Sequence, residues 1–255
     1  MNTPLTIEIA VTCTWFQRRL NWMMSSLIQQ RGDVPNIILN VGYPINNGEP
    51  STEELCSFFD GKGLNIRRVP FEGMGVIQFR GLARNRQLEV ATGDYILFAD
   101  TDMVYDPLFF DDLQKQLKGD LANETRCISA RRVSLEKDFC KNYFNNESTH
   151  PFRYPCEVPN AGEVLKDWPI YQISRNCGAG YFQLANRLYI KEKLNNLYVE
   201  PKSCADYSWE KMQKARSDGQ FRRRLGGVKR IKTKPQYHLN HERDNEVGYH
   251  LTLQR

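Results

Sequence analysis

Hydrophobic residues near the start of the chain follow two different spacings, one typical of a strand and one typical of a helix. Between residues 5 and 11 every second position is apolar, which predicts a half-buried strand. Residues 20, 23, 24, 27 and 28 are then all apolar, which places one continuous stripe on one face of a helix. Gly32 and Pro35 follow that stripe and end the predicted helix.

The same alternation of strand and helix continues to about residue 120. Further strands are predicted at 36–41, 65–69 and 95–99, and further helices at 51–60, at 80–91 and from Pro107. The short links between them favour a parallel sheet with right-handed crossovers and helices on both faces, an α/β fold. Ligands of such sheets bind beyond the carboxyl ends of the strands, so the residues that follow the four strands are candidates for a site.

The second half of the chain is less regular. Residues 134–170 are rich in Asn, Pro, aromatic and charged residues, which predicts a long loop region. A strand is predicted at 181–184, a helix at 206–216 and extended chain at 228–239. No repeat and no linker interrupts the sequence, so we expect one domain over residues 1–255.

Composition and charge exclude several classes of protein. With 255 residues, 40% hydrophobic and 25% charged, the chain resembles a globular domain and not a disordered, collagen-like or coiled-coil protein. It contains no apolar run long enough to span a membrane and does not begin like a signal peptide. Its seven scattered cysteines include no C-x-x-C pair. We therefore expect reduced thiols and a cytoplasmic protein.

The net charge of +5 is concentrated between residues 211 and 234, where ten Lys and Arg residues face one acid, Asp218. Such a run is typical of a surface that binds an anion, or of a solvated basic surface. The sequence leaves both interpretations open.

The motif Asp100-Thr101-Asp102 follows the apolar strand predicted at 95–99. Two carboxylates two residues apart in extended chain point to the same side, and they repel each other unless a cation joins them. A divalent ion with oxygen ligands would join them and would also bind a diphosphate. The alternative is a turn that ends the strand.

Histidines and arginines form the next group of candidates. His238 and His241 are two of the four histidines, and their spacing lets both reach one metal if the chain turns there. Arginines follow the first strand and line the helix before the aspartates, where they could bind phosphate oxygens. The alternatives are surface histidines and ordinary helix-surface arginines.

These segments together resemble the GT-A nucleotide-sugar glycosyltransferases, over roughly residues 5–110 and again over 176–245. Several segments are similar to the β-1,4-galactosyltransferases. Residues 15–19 (WFQRR) resemble a Pro-Phe-Arg-x-Arg segment that contacts the nucleotide, and residues 78–81 (QFRG) resemble the start of a helix in that family. Residues 238–246 (HLNHERDNE) resemble a Met-x-x-His-Ser-Arg-Asp segment whose first and fourth residues bind manganese.

The resemblance implies a GT-A, Rossmann-like fold in which residues 1–120 bind the nucleotide sugar and residues 121–255 the acceptor. It implies a metal site of Asp102, His238 and His241, which suits Mn²⁺, with Mg²⁺ as the alternative. The residues implied for nucleotide-sugar binding are Thr12, Trp15, Arg18, Arg19, Arg80, Arg84, Asp100 and Thr101. The implied activity is hexosyl transfer from UDP-glucose or UDP-galactose to an unidentified hydroxyl acceptor.

Two departures from the family affect the implied site. The acceptor motif Gly-Glu-Asp-Asp-Asp is reduced to residues 204–206 (CAD), and Asp206 is the candidate general base. Asp206 could equally cap the helix that follows it. The aspartate that many GT-A enzymes use to bind uridine after the second strand is absent, and Tyr43 lies there.

Two other functions stay open on the sequence. A sugar-nucleotide nucleotidyltransferase would share the sheet and the metal-binding aspartate, but it usually has a Gly-rich loop after the first strand, and residues 11–15 (VTCTW) contain none. A nucleic-acid-binding module would use the basic run, which contains only one aromatic residue, Phe221. We therefore expect no nucleic-acid partner.

Overall fold

The computed structural model describes residues 4–14, 17–45, 51–72, 80–136, 170–173, 181–198 and 217–239. The helices of these ranges are α1 (Gln17–Ile28), α2 (Thr52–Asp60), α3 (Arg80–Val90), α4 (Phe109–Lys118), α5 (Arg187–Leu194) and α6 (Ser217–Arg224). The strands are β1 (Thr6–Thr12), β2 (Asn36–Pro44), β3 (Asn65–Phe71), β4 (Tyr95–Ala99), β5 (Met103–Tyr105), β6 (Cys127–Ala130), β7 (Val133–Leu135), β8 (Ile170–Ile173), β9 (Phe182–Asn186), β10 (Val228–Ile231) and β11 (Gln236–His238).

Seven strands form the large sheet, in the order β10-β6-β9-β4-β1-β2-β3. β9 runs antiparallel to its neighbours β4 and β6, and the other pairs of strands are parallel. Six strands therefore end at the same edge of the sheet, which we call the ligand edge. The predicted α/β fold with a mostly parallel sheet is confirmed.

Helices cover both faces of the large sheet, because alternate residues of its central strands point to opposite sides. On one face Ile7, Ile9 and Leu97 belong to a core with apolar residues of α1, α2 and α4. On the other face Ala10 and Phe98 belong to a second core with apolar residues of α3, α5 and α6. Each large apolar side chain buried in these cores contributes about 1.5–3 kcal/mol.

Four strands form a smaller sheet, in the order β5-β11-β7-β8. Its strand β5 comes directly after β4, where the chain leaves the ligand edge. In this smaller sheet β11 pairs antiparallel with β5 and parallel with β7. The stretch predicted as extended over 228–239 is therefore two strands of two different sheets. The loop prediction for 134–170 was wrong at its ends, because β7 reaches Leu135 and β8 begins at Ile170. Most of that region lies outside the described residues, as does the helix predicted at 206–216.

The helix α3 is fixed to the sheet by a buried carboxylate. Glu8, fully buried on β1, accepts hydrogen bonds from the backbone of Thr92 and Gly93 and from the Asn40 side chain. Glu8 also forms a 3.0 Å ion pair with Arg67 of β3. Because each of its oxygens has partners, this charge is tolerated in the core.

Two further expectations concern membrane spans and the division into domains. In the described ranges we find no helix with the length and hydrophobicity of a membrane span. The organisation as one domain, divided near residue 120, stays a prediction.

Candidate functional site

The D-x-D motif lies in a turn at the ligand edge. β4 ends at Ala99 between β1 and β9, and β5 begins at Met103, so Asp100, Thr101 and Asp102 connect a strand of each sheet. Thr101 and Asp102 are each 7% exposed. The turn forms because the apolar segments on both sides of it are buried in full.

Asp102 is in contact with His238, from the other end of the chain. The His238 Nε2 atom lies 3.2 Å from the Asp102 Oδ2 atom, and both side chains are largely buried. Two backbone contacts hold this pair: His238 pairs with Met103 across β11 and β5, and the Leu239 N–H donates to the Asp102 carbonyl at 2.9 Å. Strand pairing, and not sequence proximity, therefore brings two of the predicted metal ligands together.

The donors of this pair fit a divalent transition ion. Two ligands that each lie about 2.1 Å from one ion at a right angle are about 3 Å apart, close to the Asp102–His238 separation. A carboxylate oxygen and an imidazole nitrogen suit Mn²⁺. Within the described ranges no group of three or more His, Cys, Asp or Glu residues is arranged to hold a metal. His241, the predicted third ligand, lies outside those ranges.

Asp100 has different partners from Asp102. Its Oδ1 atom lies 3.1 Å from Nη1 of Arg80 and 3.9 Å from Nη2 of Arg84. Arg80 and Arg84 are four residues apart on α3 and so share a face of that helix. From the D-x-D motif we expected one cation to relieve the repulsion between the two carboxylates. In the structure each carboxylate has its own partner.

Arg84 is almost completely buried. Its guanidinium lies 2.6 Å from the Asp218 carboxylate, donates to the Tyr198 hydroxyl and packs against the Phe98 and Tyr198 rings. The Tyr198 hydroxyl donates to Asp218 at 2.6 Å. Because α6 carries Asp218, this group connects α3 to the C-terminal part of the described chain.

The charges of this buried group stabilise one another. Burial raises the pKa of Asp218, but the Arg84 guanidinium and the Tyr198 hydroxyl outweigh it, so the pKa lies below its ordinary value. Burial lowers the pKa of Arg84, while Tyr198 and Asp218 raise it, and the net change is upward. Burial raises the pKa of Tyr198 well above its ordinary value. Arg84 and Asp218 are therefore an ion pair at neutral pH, and Tyr198 is neutral.

Tyr198 and Asp218 were not predicted from the sequence as parts of this region. The available signal was Asp218 itself, the only acid in the basic run at 211–234. An isolated carboxylate among many bases indicates a specific partner, but nothing local identifies Arg84 as that partner. Tyr198 gave no signal.

The remaining predicted residues are placed only in part. Thr12 is half-buried at the end of β1, at the ligand edge, and Arg19 is half-buried in the first turns of α1. Arg18 lies in the same helix, but its side chain is not described. Trp15 and Asp206 lie outside the described residues. Their roles, and those of the other predicted site residues, stay predictions.

Similarity to known proteins is visible in structure only. No protein-family model and no curated protein matches the sequence. S. aureus TarS 1-349, solved in complex with UDP-GlcNAc, matches with a TM-score of 0.60 at 13% identity, over 96% of this chain and 61% of that one. Another S. aureus TarS structure matches with a TM-score of 0.57 at 13% identity, over 92% of this chain and 36% of that one. M. tuberculosis glucosyl-3-phosphoglycerate synthase matches at 14% identity over 94% of this chain and 74% of that one, with a TM-score of 0.48.

The chain spans about three fifths of the TarS 1-349 structures that it matches. At this level of identity the likeness concerns the arrangement of strands and helices. That arrangement agrees with the mostly parallel sheet and the helices on both of its faces. The chain therefore has the GT-A fold, which it shares with the S. aureus TarS structures.

Proposed function

We propose that this chain is a metal-dependent glycosyltransferase that moves a sugar from a UDP-sugar to a hydroxyl group of an acceptor. The observation that carries the proposal is the 3.2 Å contact between Asp102 and His238 at the ligand edge of a GT-A fold. A carboxylate and an imidazole in contact there suit an ion that also binds a diphosphate. The match to a TarS structure solved with UDP-GlcNAc supports a UDP-sugar as the donor.

In this proposal Asp102, His238 and His241 hold Mn²⁺, with Mg²⁺ as the alternative. The bound ion supplies positive charge for the diphosphate that leaves when the glycosidic bond breaks. Arg80, which is exposed at the start of α3, donates to the same diphosphate. The other residues proposed for the nucleotide sugar are Thr12, Trp15, Arg18, Arg19, Arg84, Asp100 and Thr101.

The acceptor side of the proposal rests on the sequence. If the configuration at the sugar inverts, Asp206 takes the proton of the acceptor hydroxyl as general base. The donors that we propose to test first are UDP-glucose and UDP-galactose. Residues 121–255 would supply the contacts to the acceptor.

Thermal unfolding of the whole chain tests the binding of the nucleotide and of the metal together. We expect UDP and Mn²⁺ in combination to raise the melting temperature by more than the sum of their separate effects, because each binds next to the other. UDP-glucose, UDP-galactose and UDP-GlcNAc should then be screened for metal-dependent hydrolysis, which many transferases catalyse slowly. Equal stabilisation by UDP with and without Mn²⁺ would contradict metal dependence.

Asp102→Asn is the variant that tests the site. It should remove the Mn²⁺-dependent part of the stabilisation, because an amide oxygen carries no charge for the ion. Asp120→Asn is the matched control, since Asp120 is exposed beyond the end of α4. Stabilisation by duplex DNA in place of UDP would favour the nucleic-acid-binding alternative.

A further inference from the structure

A second cationic group lies at the ligand edge, on the side away from α3. The guanidinium carbon of Arg132, which follows β6, lies 4.5 Å from the centre of the Tyr181 ring. Tyr181 is 1% exposed, so its ring is a fixed support for the half-buried arginine. Arginine held on an aromatic ring keeps its planar fork in one orientation.

Strand register places this arginine beside the D-x-D turn. Leu97 of β4 and Ile128 of β6 both pair with Leu184 of β9, so β4 and β6 reach the ligand edge at the same level. With strands about 4.8 Å apart, these two strands are about 10 Å apart. Tyr181 precedes Phe182, the residue that pairs with Ala99, so the backbone of Tyr181 lies between the end of β6 and the turn that begins at Asp100.

The small sheet holds Arg132 from the other side. Ser134, two residues further on, pairs with His238 across β7 and β11. The fully buried Gln236 donates to the Arg131 carbonyl at 3.1 Å. The backbone around Arg132 is therefore tied to the same strand that brings His238 to Asp102.

The positive charge of Arg132 has no acidic partner in the described part of the chain. No ion pair joins it to the residues of those ranges, and its Nε atom is shielded from solvent without a hydrogen-bond acceptor among them. Two exposed cations lie next to it: Arg131 and Lys232 follow Ala130 and Ile231, which are register partners in β6 and β10. A half-buried guanidinium without a counter-charge among these residues favours an anionic ligand.

We propose that Arg132 is a specificity-determining residue that binds a negatively charged group, a phosphate or a carboxylate, on the acceptor. The inference rests on the proposed function, since the donor diphosphate is assigned to Arg80 and the metal site. It extends that function by naming the chemical class of the acceptor: an anionic hydroxyl compound. The two carboxylates of the D-x-D turn do not compete for Arg132, because Asp100 pairs with Arg80 and Arg84, and Asp102 pairs with His238.

Binding of matched compounds that differ in charge tests the proposal. The probes are two sets of three: glucose, glucose 6-phosphate and glucuronate, and glycerol, glycerol 3-phosphate and glycerate. Dissociation constants are measured by ligand-observed NMR with the whole chain, in saturating UDP and Mn²⁺ so that the donor phosphate site is filled. In at least one set we expect the wild type to bind an anionic member at least about tenfold more tightly than the neutral one, as for a charge-assisted hydrogen bond. Within that set, whichever of the phosphate and the carboxylate binds more tightly identifies the group that Arg132 prefers.

Variants of Arg132 assign the preference to that residue. Arg132→Gln should reduce the charge preference by about tenfold or more, and Arg132→Lys, which keeps the charge but not the fork, should fall between it and the wild type. Arg126→Gln is the control, because Arg126 precedes β6 at the other end of that strand and pairs with Glu124. A charge preference that survives in Arg132→Gln, or no preference in the wild type, overturns the proposal.

UDP affinity, measured on the same samples, separates a failure of the proposed function from a failure of the acceptor inference. Arg132→Gln should bind UDP and Mn²⁺ like the wild type, which also shows that the variant is folded. If the wild type fails to bind UDP, the proposed function fails. If UDP binds and the anionic probes show no preference, the acceptor inference alone fails.

Discussion

Arg80 and Arg84 illustrate how one residue type can have two roles within a single helical turn. Both lie on the face of α3 that approaches Asp100, but the Arg80 side chain is 56% exposed and that of Arg84 is 2% exposed. An exposed arginine can exchange its carboxylate partner for a ligand phosphate at little cost, because surface ion pairs contribute only about 0–1 kcal/mol. Arg84 would lose its buried contacts to Asp218 and Tyr198 in such an exchange, so we expect it to act on the nucleotide sugar through Asp100, 3.9 Å away.

Arg80→Ala is therefore expected to weaken nucleotide binding without weakening the fold. The affinity for UDP in the presence of Mn²⁺ should fall by about 1.5–3 kcal/mol, the contribution of a hydrogen bond to a charged group. Titration calorimetry measures the affinity, and urea unfolding should show little change in stability. Arg86→Ala is the matched control, since Arg86 is exposed on the same helix and pairs with Glu89. Equal UDP affinity of the two variants would exclude Arg80 from the binding site.

The sequence was informative about residues whose signal is local. Asp100 and Asp102 could be placed at the ligand edge because they directly follow a buried strand, and the structure has them there. The contact between His238 and Asp102 required the resemblance to a family as well. Asp218 and Tyr198 could not be predicted as partners of Arg84, because they are 134 and 114 residues away along the chain.

At the scale of elements, α3 is the part of the site with the strongest tertiary support. Glu8 holds the chain just beyond its C-terminal end, while Arg84 ties its middle to α6 through Asp218. A helix held at both places presents Arg80 at a fixed position near the D-x-D turn. The ion pair with Asp218 should therefore matter to stability and to pH dependence.

Asp218→Asn is expected to lower the free energy of unfolding at neutral pH by about 2–3 kcal/mol. This is somewhat less than the ~3–5 kcal/mol for a fully buried ion pair, because Asp218 is 29% exposed. The pKa of Asp218 is lower in the folded protein than its ordinary value of 3.8. The charge of Asp218 therefore stabilises the fold in full at pH values above that ordinary pKa. The contribution disappears as the pH falls through the lower, folded-state pKa.

Urea unfolding of the wild type and of Asp218→Asn at several pH values measures this difference. The gap in stability should be constant at neutral pH and close below about pH 4. Asp120→Asn should unfold like the wild type throughout, because Asp120 is exposed. A gap that stays constant into acid would show that Asp218 acts through packing and not through its charge.

The elements that the sequence could predict were the long ones. Strands of five to nine residues and helices with an apolar stripe carry enough periodicity to be recognised, as for β1, β2 and α1. The strands β5, β7 and β11 have three residues each, too few for a period. They are strands only because they pair with one another, and that pairing depends on contacts between distant parts of the chain.

At the scale of the whole molecule, the stretch from α6 to β11 joins the two sheets. β10 adds to the edge of the large sheet, and β11 lies between β5 and β7 in the small one. The central strands β1 and β4 have a partner on each side, and their residues are nearly all buried. We therefore expect β1 and β4 to open last, and the C-terminal stretch to open by local unfolding at a lower free energy.

A ligand that binds to both Asp102 and His238 should change the order in which the strands open. Such a ligand binds only when β11 is paired with β5, so it stabilises that pairing by about 2.7 kcal/mol at a hundred times its dissociation constant. Hydrogen exchange read by mass spectrometry, with and without UDP and Mn²⁺, should show β11 amides slowed by up to about a hundredfold. The edge strand β3 is separated from β4 by β1 and β2 in the large sheet, so its amides should be slowed much less. If β11 and β3 were slowed equally, the nucleotide and the metal would stabilise the whole fold from a site that does not depend on His238.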